Sequence, residues 1–199
     1  FITRFDMYIW KSVCKTLAAW QDKGCKLVPI SINVSMIDIT NIDVPQYLSM
    51  LTEQYHISPE YLPVEITESV FAESNTIVKN TITRFHKKGF YVLMDDFGSG
   101  YSSLNMLKDV PFDVIKIDRE FFSESITSNS SILILRKIIE MAEGLGIRVL
   151  CEGVETKEQV ELLKQLGCCY VQGYYYAKPM PMEEFITTYC KSIPDGKKY

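Results

Sequence analysis

Between residues 4 and 23, apolar side chains recur at Phe5, Ile9, Val13, Leu17 and Trp20, and Gly24 follows directly. That spacing predicts an amphipathic helix with a glycine stop. From there the chain alternates. Runs rich in Val, Ile and Leu appear at LVPISINVS, LPVEITE, YVLMDDF, DVIKID, RVLCEGV and CYVQGYYY. Amphipathic stretches separate them: VPQYLSMLTEQY, IVKNTITRFHKK, SSLNMLKD, ILILRKIIEMAEG and KEQVELLKQL, with EEFITTYCK after the last run. Thr156 and Gln159 have capping-box spacing, and Gly89, Gly146 and Gly167 sit where helices should stop. Six strand–helix alternations call for parallel strands with covering helices. No linker or low-complexity segment breaks the pattern, so a single domain is expected over residues 1–191, with 192–199 a flexible tail.

Polar residues decide between an open doubly wound sheet and a barrel. Each predicted strand carries one ionisable or amide side chain near its C-terminal end: Asn33, Glu65, Asp95, Lys116, Glu152 and Gln172. Side chains two apart share a strand face, so Asp95 lies with Leu93 and Glu152 with Leu150. An open sheet binds ligand mainly from two strands at a switch point. Six strands contributing to one mouth describe a TIM-like (β/α)8 barrel. Such barrels have eight strands and about 250 residues. About six βα units behind one helix therefore lead us to expect an N-terminally incomplete barrel, with at least one strand upstream of Phe1.

Composition narrows the chemistry. A net charge of −4 excludes a broad basic face for a nucleic acid polymer. An anionic ligand would need local devices: a metal ion, backbone amides or single cations. The six cysteines form no CxxC pair, which suits free thiols in a reducing cytoplasm. No apolar run is long enough for a membrane span, and FITRFDMYIW has no signal-peptide pattern. We expect a cytoplasmic domain, whose parent chain could still be membrane-anchored.

Asn33, Glu65, Asp95 and Asp96 are oxygen donors suited to hard divalent cations, Mg²⁺ or Mn²⁺, rather than to structural zinc. Asp95 and Asp96 would diverge on an ideal strand, but a twist before Gly98 lets both approach a two-metal site. Lys116 can balance developing negative charge, Glu152 can accept a proton from water, and Gln172 offers an amide. Together they describe metal-assisted phosphoester hydrolysis. Any one of these residues alone is ordinary strand-end polarity, and Glu65 with Glu68 can simply frame a turn. Lysine inside VIKID is harder to explain that way, because lysine is rarely buried without a partner. His56 and His86 read as surface residues. Tyr174, Tyr175 and Tyr176 read as packing, with lining of the mouth as the alternative.

The stretches SINVS, VEITES, MDDFGSGYSSL, VIKIDR, CEGVET and VQGYYYAKPM resemble, in order and spacing, the motifs of the EAL domain family. Its members are bacterial phosphodiesterases that hydrolyse cyclic di-GMP to linear pGpG with Mg²⁺ or Mn²⁺ on a TIM-like barrel. The resemblance implies Asn33, Glu65 and Asp95 as ligands of a first metal, with Asp95 bridging to a second beside Asp96. It implies Lys116 as the catalytic lysine and Glu152 as the general base. Asp118, Glu155 and Gln172 would support water, metal or substrate. Glu68 would anchor the DDFGSGYSS loop, through which family members commonly form homodimers. Inhibition by Ca²⁺, and diguanylate-cyclase (GGDEF) or sensory domains elsewhere in the parent chain, are further expectations of the resemblance.

One departure matters: the Glu-Ala-Leu tripeptide that names the family does not occur in these 199 residues. In the family its glutamate is a metal ligand. We therefore expect this chain alone to hydrolyse cyclic di-GMP weakly or not at all. The competing expectation is a non-catalytic cyclic di-GMP-binding or protein-interaction module. A sugar-phosphate barrel enzyme fits less well, because no Gly-rich phosphate loop follows the last strands.

Overall fold

The computed structural model describes residues 1–73, 75–98, 107–118 and 129–189. The elements run α1 (Ile2–Asp22), β1 (Ile32–Asn33), α2 (Met36–Asn41), α3 (Val44–Tyr55), a 3-10 turn (Pro59–Tyr61), β2 (Val64–Thr67), α4 (Glu68–Glu73) and α5 (Asn75–Lys87). They continue with β3 (Val92–Phe97), β4 (Val114–Ile117), α6 (Asn129–Gly144), β5 (Arg148–Cys151), α7 (Lys157–Gln165), β6 (Tyr170–Val171) and α8 (Met182–Tyr189). The strands form one parallel sheet in the order β1-β2-β3-β4-β5-β6. That order never reverses. A doubly wound sheet reverses its strand order and so places helices on both faces. Right-handed crossovers that always step the same way leave the helices on one face, which is barrel topology.

The chain divides into two compact units that interleave along the sequence. The first comprises Phe1–Val64, Arg84–Tyr91 and Pro179–Tyr199. Here α1 buries Trp10, Cys14, Leu17 and Trp20, a stripe at helical spacing. Trp10 donates from Nε1 to the Asn33 carbonyl at 3.0 Å, and Trp20 stacks on Phe185 with centroids 5.6 Å apart. Asp43 caps α3 by accepting from the Gln46 amide, and it pairs with Arg84. The short α2 was not anticipated. Its signal was Ser35 followed by Asp38, which form a reciprocal capping box. His56 ends α3 in a left-handed conformation and is exposed, as expected of a surface histidine.

The second unit comprises Glu65–Thr83 and Val92–Lys178, and holds β3 to β6 with α6 and α7. Its core includes Ile66, Val78, Phe97, Ile115, Ile117, Leu135, Ile139 and Leu163. The expected capping box of α7 is present: Thr156 accepts from the Gln159 amide, and the Gln159 side chain accepts from the Thr156 amide. The Asp113 carboxylate accepts from the Val92 amide at 2.7 Å, tying the start of β3 to β4. Observed strands are shorter than the apolar runs suggested. In LVPISINVS only Ile32 and Asn33 join the ladder, partly because Pro29 has no N–H to offer. The SSLNMLKD stretch lies largely, and the 192–199 tail wholly, outside the described residues.

Candidate active site at the strand ends

The site begins with an alternation. In Val114–Ile117, Ile115 and Ile117 are fully buried on one face, so Lys116 must project from the other. Lys116 is nevertheless only 6% exposed. An ammonium taken out of water needs partners, and it has three. Its Nζ lies 2.9 Å from Glu65 Oε2, 2.9 Å from Asp95 Oδ1 and 2.9 Å from Glu152 Oε1. Register explains the last of these. Lys116 lies opposite Leu150 on β5, so Glu152, two residues on, shares its face. Glu65 reaches the same ammonium from β2.

Asp95 arrives by a different device. Met94 pairs with Ile115 and Phe97 with Ile117, so two residues of β3, Asp95 and Asp96, oppose Lys116 alone. This is a β-bulge, a feature common beside active sites. Asp96 takes a left-handed backbone, φ 56°. That conformation costs a residue with a Cβ about 1–2 kcal/mol, though aspartate tolerates it better than most. The bulge is the twist expected ahead of Gly98. Burial, then the negative charges of Asp95 and Asp118, raise the Asp96 carboxyl above its usual range, with Lys116 opposing. Glu68, 3% exposed at the start of α4, accepts from the Gly98 amide at 3.0 Å. Residues 99–106, the rest of the DDFGSGYSS stretch included, lie outside the described residues.

The electrostatics are lopsided. Burial alone would lower the Lys116 pKa, but its hydrogen bond to Asp95 and the charges of Glu65 and Glu152 override this and raise it. Lys116 therefore stays charged. Burial raises Glu152; Lys116 pulls it down, and Asp95 and Glu65 push it up again. Three carboxylates share one ammonium, so among these four side chains negative charge exceeds positive. An all-oxygen donor set with excess negative charge fits a hard divalent cation by its chemistry. Among the described residues, no three His, Cys, Asp or Glu groups stand arranged around a common ion position. The Lys116 ammonium is the centre on which these carboxylates converge. Asn33 lies exposed at the end of β1 and belongs to the first unit.

Beyond Glu152 a cavity of about 240 Å³ opens, lined by Asp118, Glu152, Glu155, Gln172, Gly173 and Tyr174. It gathers the three supporting residues expected from sequence. Gly173 allows the closeness: a Cβ there would stand 2.1 Å from the Val154 carbonyl oxygen. The tyrosine run is not packing. Tyr174, Tyr175 and Tyr176 are all exposed, with Lys178 over the Tyr174 ring at 5.6 Å. The preceding Gln172-Gly173 pair was the available signal that Tyr174 faces the cavity.

The EAL domain family model matches residues 1–179. The cyclic di-GMP phosphodiesterase RocR of Pseudomonas aeruginosa is 33% identical over 187 residues, covering 93% of this chain and 47% of RocR. The EAL domain of Mycobacterium smegmatis DcpA superposes with a TM-score of 0.85 at 31% identity, over 92% of this chain and 83% of that one. Klebsiella pneumoniae BlrP1, solved as a manganese and cyclic di-GMP complex, superposes with a TM-score of 0.80 at 26% identity, over 89% of this chain and 45% of that one. The chain spans less than half the length of the curated relatives it matches, for example 23% of the Escherichia coli oxygen sensor protein DosP. Together with the sequential parallel sheet, these matches show that the chain belongs to the EAL domain family, with that family's TIM-like fold.

Proposed function

We propose that the Lys116 cluster and its adjoining cavity bind cyclic di-GMP and direct its metal-dependent hydrolysis to linear pGpG, in bacterial second-messenger signalling. The observation that carries this reading is the convergence of Glu65, Asp95 and Glu152 on one buried ammonium. A relative of this chain is named as a cyclic di-GMP phosphodiesterase, and a structural neighbour was solved with manganese and cyclic di-GMP together. A structural ion pair needs one carboxylate; three exceed what Lys116 can neutralise.

Roles follow from position. Glu65, Asp95 and Asp96 would hold Mg²⁺ or Mn²⁺, which supplies Lewis-acid polarisation of a phosphoryl oxygen and of water. Glu152 is the proton acceptor. Its raised pKa brings it closer to neutrality than an exposed glutamate, which favours proton transfer at cellular pH. Lys116 stays cationic and orients Glu65, Asp95 and Glu152 while balancing charge as it develops on phosphate. Asp118, Glu155 and Gln172 line the cavity and hold water or substrate. Glu68 fixes the backbone at Gly98 and so the end of the bulge that aims Asp95.

Because no Glu-Ala-Leu tripeptide supplies a further carboxylate, binding should outstrip turnover in the 199-residue chain. The test is pGpG release from cyclic di-GMP with Mg²⁺ or Mn²⁺, with chelator, and with Lys116→Ala. Slow, metal-dependent release that Lys116→Ala abolishes supports the reading. Release that survives chelator or Lys116→Ala overturns the assigned roles.

A further inference from the structure

A second reactive cluster lies outside the carboxylate site. Cys151 ends β5 with no exposure, and Cys168 is 5% exposed in the turn between α7 and β6. Seventeen residues apart in sequence, their sulfurs are 3.5 Å apart and share a hydrogen bond. Cys168 Sγ also lies 3.2 Å from the Tyr170 carbonyl and 3.7 Å from that of Val149. A cavity of about 240 Å³, at the opposite end of these strands from Glu152, is lined by Cys168 with Ile147, Arg148, Val149 and Cys169. Cys151 does not line it.

The acidities run the same way. The hydrogen bond with Cys151 brings the Cys168 thiol down to about 7, against the opposing effect of burial. The same bond and burial push Cys151 up. Near neutral pH the thiolate, which is the nucleophile, thus sits on the cysteine that lines the cavity.

We propose that Cys151 and Cys168 form a redox-active dithiol that hydrogen peroxide converts to a disulfide, with Cys168 as the peroxide-reactive sulfur and Cys151 as the resolving one. The Cys168 thiolate attacks one peroxide oxygen, the O–O bond breaks, and the leaving hydroxide takes a proton to become water. This leaves a sulfenic acid on Cys168. The Cys151 sulfur then attacks the Cys168 sulfur, the S–O bond breaks, and the departing hydroxide leaves as water with the Cys151 proton. Two thiols and one peroxide give one disulfide and two waters. The bond would join the end of β5, one residue before Glu152, to the turn that leads through β6 to Gln172. Any effect on turnover rests on the function proposed above; formation of the bond does not.

The test uses the whole chain with Cys169→Ala and Cys190→Ala, reduced, exposed to a small excess of hydrogen peroxide, alkylated and digested with trypsin. Two alkylatable thiols per chain should be lost, reversibly with dithiothreitol. The peptide 149–157 should appear linked to the peptide that begins at Gln165. In Cys151→Ala on the same background, Cys168 should instead be trapped by dimedone as a sulfenic acid. The wild-type chain, digested likewise, checks the linkage without any substitution. A Cys151 that remains fully alkylatable after peroxide overturns the proposal, whether Cys168 is then unmodified or over-oxidised.

Discussion

Replacing Lys116 by methionine removes one charge from a side chain that is 7% exposed while keeping most of its volume. Glu65, Asp95 and Glu152 then face one another without their common counter-charge. Removing one member of a buried ion pair costs about 3–5 kcal/mol, because the charge left behind has no compensation. Three carboxylates are left behind here, so the upper part of that range applies. At about 2–4 °C per kcal/mol for a chain of this size, the melting temperature should fall by roughly 8–20 °C. The loss should also depend on pH, with a definite sign. Without Lys116 the carboxylates repel, and Glu152, raised by burial, loses the charge that pulls it down, so its folded-state pKa lies further above the unfolded one. That destabilises the variant above the unfolded carboxylate pKa, and protonation relieves it as pH falls. Wild-type Lys116, with its pKa already raised, keeps its charge throughout this window. Urea unfolding followed by far-ultraviolet circular dichroism at neutral and mildly acidic pH measures both effects. A loss below about 1 kcal/mol, or one that is identical at the two pH values, would refute the claim that these carboxylates depend on Lys116.

Other perturbations probe separate parts of the account. Glu152→Gln should lower turnover by about 10²–10⁴-fold, the usual worth of a positioned general base, with cyclic di-GMP binding retained. In the wild type the acid limb of the turnover profile should fall above the ordinary glutamate pKa, because Glu152 must lose its proton to act; a limb at the ordinary value contradicts its assignment. Gly173→Ala should destabilise by at least about 1–3 kcal/mol in chemical denaturation, since its Cβ meets Val154 backbone that cannot swing aside. Glu68→Ala leaves the Gly98 amide without its carboxylate and should reduce turnover more than it reduces melting temperature. Equal losses in both would reduce Glu68 to a purely structural residue.

Much of the fold was legible because its helices carry period-3.6 stripes and clear ends. α3 occupies the very stretch VPQYLSMLTEQY, and α1 stops just short of Gly24. Strand lengths were not legible, since an apolar run shows burial but not which amides reach a neighbouring strand. α2 was missed although Ser35 and Asp38 announced it, because six residues are too few to display periodicity. Within the site, the odd lysine in VIKID was readable as a charge that needs partners. Which partners it has was not, because Glu65 and Glu152 meet it only through register and strand order. Asp95 and Asp96 could be expected to share a mouth only by way of a distortion, and the bulge opposite Lys116 supplies it. The Cys151–Cys168 contact had no local signature at all: scattered cysteines look alike until β5 and β6 are laid side by side.

Calorimetric titration of cyclic di-GMP into the chain in the presence of Ca²⁺ tests the central claim most directly. The account predicts one molecule bound per chain, with affinity that collapses when the cation is chelated or when Asp95 is changed to Asn. Binding that is indifferent to both changes, or no binding at all, would contradict it.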